Sequence, residues 1–339
     1  MNEATGSGKL KADGGTRMIT SATRFAIVVL FVLTVAPSQS PAADKITLSS
    51  TNPTAFDIDY VAAKEKGFFA KESLDVEPTY MTPDLVVKAL IAGSVDMARS
   101  GTHFGVIAAT RGAEIKIIGG SNYGYPYQVI GNPQFKTLAD LKGQRVAGAS
   151  LASITTTIFK DVMQRRGIPP SAYTLLFVGG SPERFQAVAS AQVAASLAEA
   201  PPYNFRSVGA GRKVLLNYSD EIKNLQYTSF FVTAKSLALN RPLFTRYMRA
   251  IGQGMRWLND PANEKAAIEL MIQRLKIDKA IAAQTYKFMI TENKAFQHEA
   301  AIDGPGIAEM IRLLEADKMI PKREPWENFV DAAFLAQTK

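Results

Sequence analysis

The sequence predicts an α/β protein of two similar lobes, because one pattern of helices and strands occurs twice. The first copy covers residues 81–121 and the second covers residues 180–219, at an offset of 98 to 99 residues. Each copy reads as helix, strand, helix and strand joined by short turns. Strands that alternate with helices are typical of mostly parallel sheets covered by helices. A repeated unit of this kind predicts two lobes of the same architecture.

Both copies begin with the same helix-start signal. Thr82-Pro83-Asp84 opens the first copy and Ser181-Pro182-Glu183 opens the second. A hydroxyl residue is favoured at the N-cap, proline in the first turn, and an acid near the positive end of the helix dipole. The strands that follow begin at Val95 and Val193. The matching signals therefore predict helix N-termini at equivalent places in the two lobes.

Two strands outside the repeat predict the connections between the lobes. Residues 123–130 are rich in aromatic side chains, and residues 228–234 form a second apolar run after the second copy. We interpret them as the outward and return crossovers. The rest of the chain predicts helices that pack back on the first lobe. The resulting limits are residues 44–124 and 230–339 for the first lobe and residues 125–229 for the second.

Residues 1–43 have the composition of a secretory signal peptide preceded by an extension. Arg17 and Arg24 stand near an apolar run at Phe25–Val35, and small residues follow. This run is far shorter than the roughly 20 residues of a membrane span. We therefore expect export and cleavage close to residue 43. The sequence leaves open whether residues 1–17 are translated, because Met18 stands directly before the leader.

Composition excludes several classes of protein. The chain of 339 residues is 47% hydrophobic and 21% charged, which is typical of globular proteins of about two domains. It has no cysteine, which excludes disulfides, a thiol nucleophile and a lipid-modified cysteine. The net charge is +8, and +6 beyond residue 43, without a basic block. We expect no nucleic-acid partner, and with only two histidines, His103 and His298, no metal site or cofactor.

The expected binding site lies where strands end and helices begin. In open α/β sheets, ligands bind beyond the carboxyl ends of the strands, where helix N-termini present free N–H groups. Several such termini favour an anion, and a carboxylate beside them also suits an amine. Each hydroxyl could equally serve only as a helix cap. The candidate ligand-binding residues are Asn52, Phe56, Ser100, Gly101, Thr102, Ser121, Tyr125, Ser150, Ser153, Ser181, Glu199 and Tyr203.

Catalytic motifs are incomplete. Gly148–Ala152 approaches the nucleophile elbow of serine hydrolases, with Ser150 as nucleophile, but Ala152 replaces the second glycine. The only histidine after it is His298. Gly209-Ala210-Gly211 precedes a strand and reads as a turn, not as a nucleotide-binding loop. We expect no enzyme, with a serine-hydrolase-like enzyme as the alternative.

Several segments carry a resemblance to a known family. These segments are AAKEKGFF, AGSVDMARSG, TLADLKGQRVAGAS and PPYN. With the leader, they resemble the periplasmic solute-binding proteins of the nitrate, sulfonate and taurine class of ABC importers. That class also resembles the thiamine-precursor synthases, whose cysteine-bearing motif this chain lacks.

This resemblance implies a periplasmic-binding-protein fold of type II, with two α/β lobes joined by two crossover strands. It implies a periplasmic monomer without a lipid anchor that encloses a small anionic or zwitterionic solute and delivers it to the membrane subunits of an ABC permease. The contact with the permease would be transient. The alternative is a periplasmic enzyme of the same fold, either serine-hydrolase-like or related to pyrimidine precursors.

Overall fold

The structure of the protein is a computed structural model that describes residues 43–51, 54–151, 153–331 and 333–334. The predicted signal peptide and the candidate residue Asn52 lie outside the described residues. Among the helices described, none combines the length and apolar character that a membrane span requires.

The first sheet has five strands, and four of them come from the first part of the chain. They are β1 (Asp44–Ser50), β2 (Leu74–Tyr80), β3 (Met97–Gly101), β4 (Ile115–Tyr123) and β10 (Gln226–Thr233). The order across the sheet is β2-β1-β3-β10-β4. β1 pairs in parallel with β2 and β3, whereas β10 runs antiparallel between β3 and β4.

The second sheet repeats this topology. Its strands are β5 (Gln128–Gly131), β6 (Arg145–Gly148), β7 (Thr174–Phe177), β8 (Ala195–Glu199) and β9 (Lys213–Asn217), in the order β7-β6-β8-β5-β9. β6 is parallel to β7 and β8, and β5 is antiparallel to β8 and β9. In both sheets an antiparallel strand occupies the fourth position. The repeat in the sequence therefore corresponds to two lobes of equivalent topology, which confirms the predicted fold class.

Twelve α-helices surround the sheets in the described part of the chain. They are α1 (Ile58–Glu65), α2 (Phe68–Lys71), α3 (Pro83–Ile91), α4 (Thr102–Thr110), α5 (Ile154–Arg165), α6 (Ser181–Ala189), α7 (Tyr203–Gly209), α8 (Tyr218–Glu221), α9 (Ala234–Asn259), α10 (Glu264–Leu275), α11 (Lys279–Tyr286) and α12 (Gly304–Ala316).

The predicted helix start of the second copy is displaced by one residue. α3 begins at Pro83 with Thr82 as its N-cap, as expected. In α6, Gly180 is the N-cap and Ser181 is the first helical residue. Gly180 supplies the extended backbone that an N-cap requires, and the Ser181 hydroxyl instead accepts a hydrogen bond from Arg184. The Ser181 side chain is thus free of the capping role.

The long helix of the C-terminal part follows β10 without a loop. β10 ends at Thr233, which caps α9 by accepting from the Ser236 amide, so the helix begins at Ala234. Non-helical dihedrals occur at Asn240, two residues before Pro242, whose ring and missing N–H interrupt the helical hydrogen bonds there. Near the end of the chain, the described residues include a short 3₁₀ turn at Trp326–Phe329 and helical backbone at residues 333–334.

The chain passes between the sheets twice, at residues 124–127 and at residues 222–225. Buried apolar side chains of both sheets belong to one continuous core. The lobe limits at residues 124/125 and 229/230 remain a prediction.

A third connection between the lobes is a polar clasp between α5 and α12. Asp317, directly after α12, accepts hydrogen bonds from the Thr157 hydroxyl at 2.8 Å and from Lys160 Nζ at 3.0 Å. Arg312 of α12 lies 3.3 Å from Asp161 of α5. The C-terminal helix of the first lobe is therefore tied by charged groups to the first helix of the second lobe.

Candidate functional site

Four aromatic side chains meet where the two sheets approach each other. Phe56 follows β1, Tyr125 and Tyr127 lie in the first crossing, and Tyr227 lies at the start of β10. Phe56 stacks on Tyr127 with ring centroids 5.2 Å apart, and Tyr125 stacks on Tyr127 at 4.6 Å. Tyr227 meets Tyr125 edge-on at 5.2 Å. We call these four residues the aromatic cluster; it lies at the strand ends where α/β proteins bind ligands.

The cluster is buried, and one of its hydroxyl groups is unsatisfied. Tyr125 is completely buried, and Tyr127 is 8% exposed. The Tyr127 and Tyr227 hydroxyls lie 3.1 Å apart, within hydrogen-bond distance. The Tyr125 hydroxyl has no hydrogen-bond partner in the described structure. Buried polar groups nearly always have a partner, so this hydroxyl marks a place where a polar group is expected to bind.

Arg184 supplies a buried positive charge beside this cluster. It is 3% exposed and lies near the start of α6. Nε and Nη2 donate to the Ala198 carbonyl at 3.0 and 2.7 Å, and Nη1 donates to the Gly179 carbonyl at 2.7 Å. Nη2 also donates to the Ser181 hydroxyl at 3.0 Å. All these acceptors are neutral, and among the residues that the structure describes no carboxylate forms an ion pair with Arg184.

The charge of Arg184 lies within electrostatic range of the three tyrosines of the aromatic cluster. Burial raises the pKa values of Tyr125 and Tyr127 well above their ordinary value, and the guanidinium of Arg184 acts in the opposite direction on both. The same charge opposes the effect of burial at Tyr227. A guanidinium has five N–H donors, and four contacts to three neutral oxygens leave it without a counter-ion. The site therefore combines aromatic ring faces with a cation that has no ion-pair partner in the described structure.

A second arginine, Arg99 of β3, holds the cluster from the first lobe. It forms an ion pair with Asp59 at 3.2 Å, and its Nε donates to the Ser121 hydroxyl at 3.1 Å. Ser121 in turn donates to Asp59 at 2.6 Å. Arg99 Nη2 and Asn122 Nδ2 both donate to the Phe56 carbonyl. The charge of Arg99 is thus paired, and the network fixes the segment that carries the Phe56 ring.

Glu199 ends β8 in the second lobe and is completely buried. One carboxylate oxygen accepts from the Ser207 hydroxyl of α7 at 2.7 Å, and the other has no partner in the described structure. Burial raises the pKa of Glu199 to about 7, against the opposing effects of Ser207, Arg184 and Arg212. Glu199 therefore changes its charge near neutral pH, next to the strand residue that anchors Arg184.

A surface depression of about 410 Å³ lies beside α6, lined by side chains that include Pro182, Gln186 and Ser190. Its lining carries one charged residue, Glu183, among neutral side chains. We place the candidate site at the aromatic cluster, because buried cations and unsatisfied hydroxyls are better markers of binding than an open depression.

Residues 57–264 match the family model described as NMT1/THI5 like. The chain belongs to the NMT1/THI5-like family. This confirms the family that the sequence predicted. A protein of Brucella abortus (strain 2308), provisionally named a binding protein, is 24% identical over 220 residues, which are 64% of this chain and 67% of the relative.

Solved structures of similar fold include two proteins whose titles name a ligand. The alkanesulfonate-binding protein SsuA of Xanthomonas axonopodis pv. citri, bound to MOPS, has a TM-score of 0.69 and 18% identity. The match covers 86% of this chain and 98% of SsuA. The nitrate-binding protein NrtA of Synechocystis has a TM-score of 0.63 and 14% identity, over 88% of this chain and 99% of NrtA. These matches confirm the two-lobed periplasmic-binding-protein fold.

Within this NMT1/THI5-like chain, four candidate residues lie at or directly behind the aromatic cluster. Phe56 and Tyr125 belong to the cluster, Ser121 joins the Arg99 network, and Ser181 accepts from Arg184. Glu199 lies close by, but its carboxyl group contacts α7.

The residues at the end of β3 are more buried than the sequence suggests. Ser100 is buried without a partner for its hydroxyl in the described structure, and Thr102 lies 2.7 Å from the Ser229 hydroxyl. A side chain at Gly101 would place its Cβ 2.5 Å from the imidazole of His103. His103 is buried, which lowers its pKa to about 3 and keeps the ring neutral. The glycine here makes room for His103.

Three candidate residues of the second lobe do not contact the aromatic cluster. Ser150 is exposed. Ser153 lies 2.8 Å from the Thr155 hydroxyl, and Tyr203 packs against Phe185 with ring centroids 6.0 Å apart. These positions remain candidates only for a different arrangement of the lobes.

Sequence reasoning missed the residues that carry charge at the site, namely Asp59, Arg99 and Arg184, and two rings of the cluster, Tyr127 and Tyr227. Two signals were available. Arg99 places a charge in the middle of a short strand of small and apolar residues, and a basic residue near a helix start, such as Arg184, opposes the helix dipole. Both are unfavourable unless the charge has a specific role.

Proposed function

We propose that this protein is the extracytoplasmic solute-binding component of an ABC importer. It captures a small anionic or zwitterionic solute between its lobes and delivers it to a membrane permease. The observation that carries the proposal is Arg184, a buried guanidinium that binds only neutral oxygens at the edge of the second sheet.

A buried charge without an ion-pair partner favours the binding of an oppositely charged solute. A cation removed from water is strongly destabilised unless it is paired. A solute carboxylate, sulfonate or nitrate offers two oxygens in one plane, which matches the geometry of guanidinium N–H groups. Capture of an oxyanion would therefore neutralise Arg184, and the Tyr125 hydroxyl would supply a further donor. Both groups favour anion binding over binding of a neutral solute.

The proposal describes a receptor that acts as a periplasmic monomer without a lipid anchor, not an enzyme. For the serine-hydrolase alternative, Ser150 would need a histidine as general base. Ser150 follows β6 in the second lobe, whereas His298 packs on Tyr123 of the first lobe, with ring centroids 4.4 Å apart. This separation favours binding over catalysis. Recovery of chemically unchanged solute after incubation supports the receptor, and turnover that Ser150→Ala abolishes contradicts it.

Replacing Arg184 with methionine is expected to weaken anion binding at least tenfold, or about 1.4 kcal/mol. The substitution removes the charge and keeps a chain of similar length. The measurement is isothermal titration of the protein with nitrate, methanesulfonate and acetate at pH 7. Arg184→Lys keeps the positive charge but lacks the planar guanidinium. Its affinity for the anion should therefore lie between those of the wild type and Arg184→Met.

The matched control for this titration is Arg165→Met. Arg165 is on the surface, with a side chain that is 47% exposed, and pairs with Asp161 and Glu221. Its loss should leave the titration unchanged. Equal affinity in the wild type and Arg184→Met, with both variants folded, contradicts the proposal, as does the absence of any anion binding by the wild type.

Binding is also expected to bring the lobes together as rigid bodies. Only residues 124–127 and 222–225 connect the sheets through the backbone, so closure needs changes in few dihedral angles. Small-angle scattering should show a smaller radius of gyration at a saturating concentration of bound anion, with an unchanged circular dichroism spectrum. A constant radius would contradict lobe closure.

A further inference from the structure

We infer that the solute is an organic anion whose body is a flat unsaturated ring, such as an arene carboxylate or sulfonate. The inference rests on the proposed function and specifies its substrate class. Its basis is the ring faces of the aromatic cluster and the guanidinium of Arg184, which has no ion-pair partner in the described structure. Arg184 donates to the Ala198 carbonyl, and the adjacent Leu197 carbonyl accepts from Tyr218, whose ring packs edge-on against Tyr125 with centroids 5.2 Å apart.

The rings of the aromatic cluster form a stack around Tyr127. Phe56 and Tyr125 both stack on Tyr127, with interplanar angles of 21° and 28°. Tyr227 closes the cluster edge-on to Tyr125 and Tyr127, at angles of 74° and 77°. Phe56 and Tyr227 lie on the first sheet side, whereas Tyr125 and Tyr127 lie in the first crossing. A change in the angle between the lobes would therefore move the two crossing rings relative to Phe56. A flat ring inserted there would replace one stacked ring by another.

The hydroxyl groups of the cluster also indicate a ligand. A cluster that served only as a hydrophobic core would be satisfied by phenylalanine. Here three of the four rings are tyrosines, and the completely buried Tyr125 hydroxyl lacks a partner in the described structure. Burying such a group is unfavourable unless a ligand or neighbour pairs with it. The combination of a ring face, an unpaired hydroxyl and a cation fits a ring that carries an acidic group.

The rims of the two sheets supply an independent observation. Three large apolar side chains are exposed at or shortly after the carboxyl ends of strands: Leu85 after β2, Leu151 after β6 and Phe177 at the end of β7. Their exposed fractions are 46%, 65% and 41%. Exposed apolar side chains near a binding region favour a solute with an apolar body. A small inorganic anion would leave these side chains without a partner.

The test compares four anions of equal charge on the full mature protein by isothermal titration. We expect benzenesulfonate to bind at least tenfold more tightly than methanesulfonate or nitrate. Cyclohexanesulfonate has a similar apolar size without a flat face, and it should bind several-fold more weakly than benzenesulfonate. Equal or tighter binding of methanesulfonate or nitrate overturns the inference and leaves the receptor proposal standing. No binding of any of the four contradicts both.

A pair of variants locates the effect. Tyr127→Leu removes the central ring and should lower the ratio of benzenesulfonate to methanesulfonate affinity at least fivefold. Tyr173→Leu is the matched control, because Tyr173 is equally buried and its ring packs on Phe159 at 5.3 Å, not on a ring of the cluster in the described structure. In Tyr173→Leu the ratio of benzenesulfonate to methanesulfonate affinity should stay at its wild-type value. A ratio that is unchanged in folded Tyr127→Leu contradicts the inference, and the four-anion comparison decides the case if that variant does not fold.

Discussion

Replacement of Asp59 by alanine is expected to lower the free energy of unfolding by about 3–5 kcal/mol. Asp59 is completely buried and is the ionic partner of Arg99, which is 2% exposed. Its loss leaves a buried guanidinium without a counter-charge and removes the acceptor of the Ser121 hydroxyl. Urea unfolding followed by both circular dichroism and tyrosine fluorescence measures the effect.

Two controls separate the buried charge from a general loss of contacts. Glu77→Ala breaks an exposed pair with Lys64 in the same lobe and should change stability by less than about 1 kcal/mol. The double variant Asp59→Ala with Arg99→Met should be more stable than Asp59→Ala alone, because it removes the unpaired cation. If Asp59→Ala loses less unfolding free energy than the Glu77→Ala control, the burial of Arg99 does not require the charge of Asp59.

Glu199→Gln is expected to stabilise the protein above pH 7, by up to about 3 kcal/mol. The pKa of Glu199 is raised from 4.5 to about 7 by burial. In the unfolded chain the carboxyl group therefore loses its proton at lower pH than in the folded protein. Stability falls as the pH rises from about 4.5 to about 7, and the full penalty applies above pH 7. Glutamine has no proton to lose, so the variant avoids this penalty.

The measurement is urea unfolding of wild type and variant at several values between pH 4.5 and pH 8. The difference in stability should be near zero at the acid end and should grow with pH. Glu183→Gln, at an exposed position of α6, controls for loss of one negative charge. A difference of the same size at every pH would mean that ionisation of Glu199 is not the cause.

Local signals made the fold predictable, and the repeat is the best example. Proline in the first turn, glycines at helix ends and apolar strands recur at a fixed offset, and each acts through neighbours a few residues away. The strand β10 shows the limit of this reasoning. Its start at Gln226 and end at Thr233 are set by pairing with β3 and β4, which are distant in the sequence.

The candidate site was predictable only in part, for the same reason. Phe56 and Tyr125 could be named because they flank predicted strand ends. Arg99 and Asp59 are 40 residues apart, and their pairing depends on how α1 lies against the sheet. Gly254 of α9 permits that position, because a Cβ there would lie 2.8 Å from the Asp59 carbonyl oxygen. No periodicity in the sequence reports such a contact.

The clasp between α5 and α12 makes the lobe angle sensitive to ionic strength. Any rotation of one lobe against the other must move Lys160 and Asp161 relative to Asp317 and Arg312. These side chains are partly exposed, so dissolved ions weaken their attraction as the Debye length falls from about 30 Å at low salt to about 3 Å at 1 M. Salt therefore weakens the clasp, whereas the two backbone crossings are covalent and do not respond to salt. The resting angle of the solute-free protein is therefore set by its surroundings as well as by its chain.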